Sequence, residues 1–102
     1  MKILPEPITY IWDKGNIDKN LLKHNVTIHE AEEMFFTQPF VVRNDLMHAE
    51  PNGARYQALG KTKASRKLFV AFTIRNKQIR VISIREMTIN EERVYEKLEA
   101  NS

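Results

Sequence analysis

Residues 67–85 read Lys67-Leu68-Phe69-Val70-Ala71-Phe72-Thr73-Ile74-Arg75-Asn76-Lys77-Gln78-Ile79-Arg80-Val81-Ile82-Ser83-Ile84-Arg85, and this stretch decides the fold. Lys67 to Arg75 is the longest apolar run in the chain. Period-two alternation puts Leu68, Val70, Phe72 and Ile74 on one face and Phe69, Ala71 and Thr73 on the other. Both faces are largely apolar, so the run predicts a central strand covered on two sides. Asn76-Lys77 predicts a tight hairpin turn, because Asn tolerates positive φ. Ile79 to Arg85 is then the returning strand.

Towards the N-terminus, Arg55 to Leu59 predicts a further strand ending at Gly60, and Lys61 to Ser65 a basic connection. Asn44 to Gly53 is polar, with Pro51-Asn52-Gly53 as its turn signal, and Phe40 to Arg43 predicts another strand. Thr27-Ile28-His29-Glu30 is a capping-box pattern that opens a helix with Ile28, Ala31, Met34 and Phe35 at core spacing, ending before Pro39. Ile17 to His24 predicts a shorter helix with Leu21 and Leu22 inward, closed by Asn25 in the left-handed conformation. Asp13-Lys14-Gly15-Asn16 separates it from a first strand, Ile8 to Trp12. On the C-terminal side, Thr88 to Glu91 is a second capping box, opening an amphipathic helix with Ile89, Val94 and Leu98 on one side. The predicted class is α+β: a single twisted antiparallel sheet of about four to five strands, with two N-terminal helices and one C-terminal helix packed on it.

A chain of 102 residues favours one domain, 1–102, with a modest core. The absence of cysteine excludes disulfides and thiolate zinc sites and fits a reducing compartment. No segment reaches the ~18 apolar residues that span a bilayer, so a cytoplasmic protein with no membrane role is expected. Net charge is only +3, but it is segregated: residues 43–85 hold ten Lys and Arg against two acids, and the remainder is acidic. Clustered cations attract polyphosphate, since neutralising phosphates releases condensed counterions. A solvated basic surface has the same composition.

Three ordered blocks resemble the BrnT family. The first is Trp12-Asp13-Lys14-Gly15-Asn16, then Asn20-Leu21-Leu22-Lys23-His24-Asn25-Val26, leading to Glu30-Ala31. The second is Arg55-Tyr56-Gln57-Ala58-Leu59-Gly60-Lys61-Thr62. The third runs from Arg66 through Phe72-Thr73-Ile74-Arg75 and Ile79-Arg80-Val81-Ile82-Ser83-Ile84-Arg85 to Glu91-Glu92-Arg93-Val94-Tyr95-Glu96. Asn25 stands where the family has Gly, Ile28 where it has Phe, and Ile84 where it has a small residue. The resemblance implies a RelE-like fold and a toxin that cleaves RNA without a metal or other cofactor, free or on the ribosome. It also implies a BrnA-type antitoxin partner, with operator DNA bound only through the toxin–antitoxin complex.

Metal-free RNA cleavage uses the substrate's 2′-hydroxyl as nucleophile. A group must take its proton, another must stabilise charge on the phosphorane, and another must protonate the departing oxygen. Arginine suits the second task, because its planar fork binds phosphate oxygens and stays charged. Arg85 and Arg80 are the candidate catalytic phosphate contacts, with Arg55, Arg75 and Arg66 as further RNA contacts. Five residues apart on one strand, Arg80 and Arg85 face opposite sides unless a bulge or the strand's end intervenes. The competing reading of Arg85 is a salt bridge with Glu91 or Glu92. Lys23 and His24 are catalytic candidates, His24 as acid or base; as cations at a helix end they also suit its dipole. Tyr95 as proton donor is weighed against packing, and Trp12 as base platform against a core anchor. His29 and His48 have no metal-ligand spacing. Beside the endoribonuclease stand other readings: a non-catalytic RNA- or ribosome-binding module, a degenerate toxin acting only through its antitoxin, and a protein-interaction domain.

Overall fold

A computed structural model describes residues 4–45 and 54–101, without the side chains of Asn16 and residues 19–22. The Pro51-Asn52-Gly53 turn, His48, and the inward placement of Leu21 and Leu22 lie outside the described residues. The elements are β1 (Tyr10–Ile11), α1 (Lys14–His24), α2 (Ile28–Met34), β2 (Val41–Asn44), β3 (Arg55–Lys61), β4 (Lys67–Arg75), β5 (Gln78–Glu86) and α3 (Ile89–Ala100). The sheet runs β1-β5-β4-β3-β2, so the apolar run of residues 67–75 is its central strand. β2 to β5 pair antiparallel. The expectation of a wholly antiparallel sheet is corrected at one edge: β1 runs parallel to β5, Tyr10 opposite Ile79. No hairpin joins β1 to β5, so connection length imposes no antiparallel direction on it.

The β4–β5 turn has Asn76 at φ 50° and Lys77 at φ 61°, the paired positive values that match the twist of a two-residue hairpin. Both capping boxes form: Thr27 and Glu30 satisfy each other's amides at α2, and Thr88 and Glu91 do so at α3. Asn25 takes φ 53° between α1 and α2. α1 begins three residues earlier than expected. The Asp13 carboxylate accepts the Gly15 amide at 2.8 Å and the Asp13 carbonyl accepts that of Ile17, so Asp13 caps the helix rather than breaking the chain.

Leu68, Val70, Phe72, Ile79, Val81 and Ile84 are buried against Val26, Ala31, Met34 and Phe35. Phe35 meets Phe72 edge-on at 5.4 Å and Tyr10 at 5.6 Å. α2 therefore packs on this face of the sheet. Ile28, expected in the core, is 37% exposed.

α3 crosses the opposite face beside Val41, Leu59 and Phe69, leaving a groove of about 240 Å³. Its inward side is only partly the one expected: Val94 and Leu98 line the groove, and Ile89 does not. Ile89 and Val94 are 68% and 55% exposed, whereas Tyr95 is fully buried. The side turned to the sheet carries Glu91, Tyr95 and Glu99 at i, i+4 and i+8. Glu91 pairs with Arg85, Glu99 with Lys61 at 2.7 Å, and the Tyr95 hydroxyl donates to the Pro39 carbonyl at 2.5 Å. Ion pairs here flank an apolar seam of Val94 and Leu98 against Val41, Leu59 and Phe69.

Candidate functional site

Directly opposed residues in a β-ladder project to the same face, so the pairing register shows which side chains share the α3 side of the sheet. One row is Val41–Leu59–Phe69–Arg85, the next Arg43–Gln57–Ala71–Ser83, and the third Arg55–Thr73–Arg80. Arg75, two residues beyond Thr73, falls on the same side. Four strands thus bring Arg43, Arg55, Arg75, Arg80 and Arg85 to one face.

Arg80 and Arg85 share it because the ladder is irregular. Ala71 pairs with Ser83 but Phe72 with Val81, which leaves Ile82 as an extra residue in β5. A β-bulge of this kind shifts the alternation by one. Ile79, Val81 and Ile84 all remain in the core while both arginines emerge opposite them.

Four of these cations, Arg43, Arg55, Arg80 and Arg85, are held differently. The Arg43 guanidinium donates to Gln57 Oε1 at 2.7 and 3.0 Å, and Gln57 Nε2 donates to the buried Asp45 carboxylate at 3.0 Å. That carboxylate lies 3.6 Å from Arg55 Nε, too far for a hydrogen bond. Arg80 Nη2 is 3.7 Å from the α1-capping Asp13 carboxylate, and the two side chains are partly exposed. Arg85 is fixed: it makes two bonds to Glu91, at 2.8 and 3.1 Å, and donates to the Glu86 carbonyl. Its guanidinium also lies over the Phe69 ring, 4.1 Å from the centroid. Burial pushes the Glu91 carboxyl up, but bonds from Arg85 and the Thr88 amide outweigh it and hold it below the ordinary value.

The remaining candidates lie elsewhere. Arg66 donates to the Asn25 carbonyl at 2.7 Å, the His24 carbonyl at 3.2 Å and both Glu30 oxygens at 3.0 Å. It ties the end of α1 to the start of α2. Lys23 and His24 sit at that helix end. Arg66, just before β4, is seven residues from Thr73, roughly 20 Å at strand rise, and its partners are the end of α1, Asn25, Glu30 of α2 and, at 3.6 Å, Glu86 at the end of β5. The structure therefore does not bring Lys23, His24 or Arg66 to the row of Arg55 and Arg80. Trp12 is a core anchor: its indole donates to Glu32 at 2.9 Å and stacks with Tyr10. Tyr95 packs, and burial, with the Glu99 charge beside it, pushes its hydroxyl up to about 12.

Sequence reasoning passed over Thr73, Gln57, Asp45 and Asp13. Thr73 did carry a signal, as the one hydroxyl in the apolar run from Leu68 to Ile74. Among the described residues its Oγ1 and Arg55 Nε are buried without a hydrogen-bond partner. Also among the described residues, no three His, Asp or Glu side chains converge as metal ligands would.

Residues 12–91 match the family model described as the ribonuclease toxin, BrnT, of a type II toxin–antitoxin system. The 1.1 Å crystal structure of the Brucella abortus ribonuclease toxin BrnT is similar to this chain, with a TM-score of 0.59 and 22% sequence identity. The match covers 79% of this chain and 97% of the Brucella chain. No curated protein matches the sequence at a significant level.

Proposed function

Because the chain belongs to the BrnT family of ribonuclease toxins, we propose that it is a RelE-like, metal-independent endoribonuclease that grips the RNA backbone with the arginines opposite α2. The observation that supports this most is the row Arg55–Thr73–Arg80. Neighbouring positions on adjacent strands stand about 5 Å apart at Cβ, so two guanidiniums flank one hydroxyl within reach of a single phosphate. In the free protein each faces a carboxylate only at 3.6 or 3.7 Å, which leaves N–H donors for phosphate oxygens.

The RNA 2′-hydroxyl attacks the adjacent phosphorus and the 5′-oxygen departs. Arg55 and Arg80 stabilise the extra negative charge of the phosphorane, with Arg75 holding a neighbouring phosphate. Fixed cations aimed at developing charge are often the largest catalytic term. Arg85 joins them only by exchanging Glu91 for phosphate. Lys23, at the end of α1, serves the helix dipole.

The family is one of toxin–antitoxin systems, so an antitoxin is the expected protein partner. We propose that it is of the BrnA type, that the complex meets operator DNA through the antitoxin, and that the toxin acts on translating RNA. A non-cleaving RNA-binding role is the second reading. It draws on the positions of His24 and His29, on the helices away from the arginine rows.

The test is induction of the gene in a bacterium lacking the antitoxin, with growth and RNA integrity followed together. Growth arrest with RNA breakage, abolished by Arg55→Ala/Arg80→Ala, is expected. Arrest with intact RNA selects the binding role, and breakage that survives the double substitution removes these arginines from the site. Purified toxin should keep cleaving in excess chelator.

A further inference from the structure

Thr73 is 6% exposed, and among the described residues its Oγ1 has no hydrogen-bond partner. Leaving a hydroxyl buried and unpaired is unfavourable, and the apolar strand around it would accept Val at no polar cost. Arg55 Nε, on the paired residue across the β3–β4 ladder, is buried and unpaired in the same sense. Arg80 pairs with Thr73 from the other side. Two adjacent donors without hydrogen bonds, Arg55 Nε with only its 3.6 Å contact to Asp45, beside a second guanidinium are what an anionic oxygen would satisfy at once.

We propose that Thr73 is a substrate-binding residue, its hydroxyl donating to a non-bridging oxygen of the RNA phosphate held by Arg55 and Arg80. The inference rests on the RNA-cleaving reading above and adds a neutral donor to it. In the free protein the hydroxyl is covered. The phosphate reaches it as Arg55 and Arg80 leave their long carboxylate contacts, 3.6 and 3.7 Å, and turn onto the incoming charge. Thr73 Oγ1 keeps its proton throughout and acts as a positioning donor, while the backbone of the central strand fixes its place.

Thr73→Val keeps the shape and removes the hydroxyl; Thr73→Ser keeps the hydroxyl. Binding is measured with a short 2′-fluoro RNA strand, which lacks the nucleophilic oxygen, and thermal unfolding is followed beside it. The expected result is a Kd about 10-fold weaker for Thr73→Val, since a lost bond to a charged group is felt on that scale. Thr73→Ser restores most of that loss, and the Tm of Thr73→Val is unchanged or raised. A structural hydroxyl would instead lower Tm and leave Kd alone, which overturns the proposal. Arg80→Ala in the same assay separates the two readings. Weaker binding by Arg80→Ala with none by Thr73→Val removes Thr73 only, and no loss from either removes the phosphate site itself. If Thr73→Val does not fold, Thr73→Ala is compared with Thr73→Ser on the same two readouts.

Discussion

Replacing Arg66 with Ala should damage the fold and spare the chemistry. The guanidinium closes the end of α1 by donating to the carbonyls of His24 and Asn25 and holds α2 through both oxygens of Glu30. Burial disfavours the Glu30 charge, but the Thr27 amide and Arg66 together hold its carboxyl below the ordinary value. The ion pair is partly exposed on both sides, 23% and 26%, and is worth at most about 1 kcal/mol. The two bonds to helix-end carbonyls add roughly 1 kcal/mol each. A loss of about 2–3 kcal/mol lowers Tm by roughly 8–24 °C in a domain of this size. Circular dichroism melts of the wild type and Arg66→Ala measure it, beside initial RNA-cleavage rates taken well below both midpoints. Rates per folded molecule should agree within about twofold, since a surface clamp roughly 20 Å from Thr73 supplies no transition-state contact. An Arg66→Ala variant that melts like wild type but cleaves poorly would refute this reasoning and return Arg66 to the RNA-binding surface.

Tyr95→Phe removes the bond to the Pro39 carbonyl and should cost about 1 kcal/mol in urea unfolding with cleavage retained; lost cleavage at full stability would make Tyr95 a proton donor. Glu91→Gln weakens the clamp on Arg85, and its effect should depend on pH. The folded Glu91 carboxyl is held below its ordinary 4.5. Its stabilisation is therefore present above 4.5 and lost as pH falls through the lower folded value. Melts across that range should show the wild type's advantage shrinking on acidification, and a constant gap contradicts the assignment. Lys77 holds φ 61° with a side chain that disfavours the left-handed region, so Lys77→Gly should raise stability by about 1 kcal/mol, read as a higher Tm.

The parts of the fold that were legible in the sequence rest on local chemistry. Thr27 with Glu30, Thr88 with Glu91, and Asn25 and Asn76 in the left-handed region each solve a backbone problem within a few residues. The central strand was legible because residues 68–74 are apolar on both faces. What was hidden is non-local. Ile82 looks like any other branched residue in β5, and only its pairing with β4 makes it a bulge. Without the bulge, Arg80 and Arg85 stay on opposite faces, so the site was hidden by one residue of register. α3 was only partly legible: Val94 and Leu98 do line the groove on the sheet side, but Ile89, grouped with them, is exposed. Its sheet side is set by Glu91, Tyr95 and Glu99 meeting Arg85, Pro39 and Lys61. Arg66 counted as an RNA contact because a cation's partner cannot be known until Glu30 is folded beside it.

The most direct measurement of the arginine grip is how RNA affinity depends on salt. For a single strand, log K falls with log salt at a slope of about −0.7 per phosphate neutralised. If Arg55 and Arg80 hold one phosphate between them, Arg55→Ala/Arg80→Ala should flatten the slope by about 0.7 relative to wild type, and Arg66→Ala should leave it unchanged. An unaltered slope in the double variant, or a slope flattened by Arg66→Ala instead, would contradict the account.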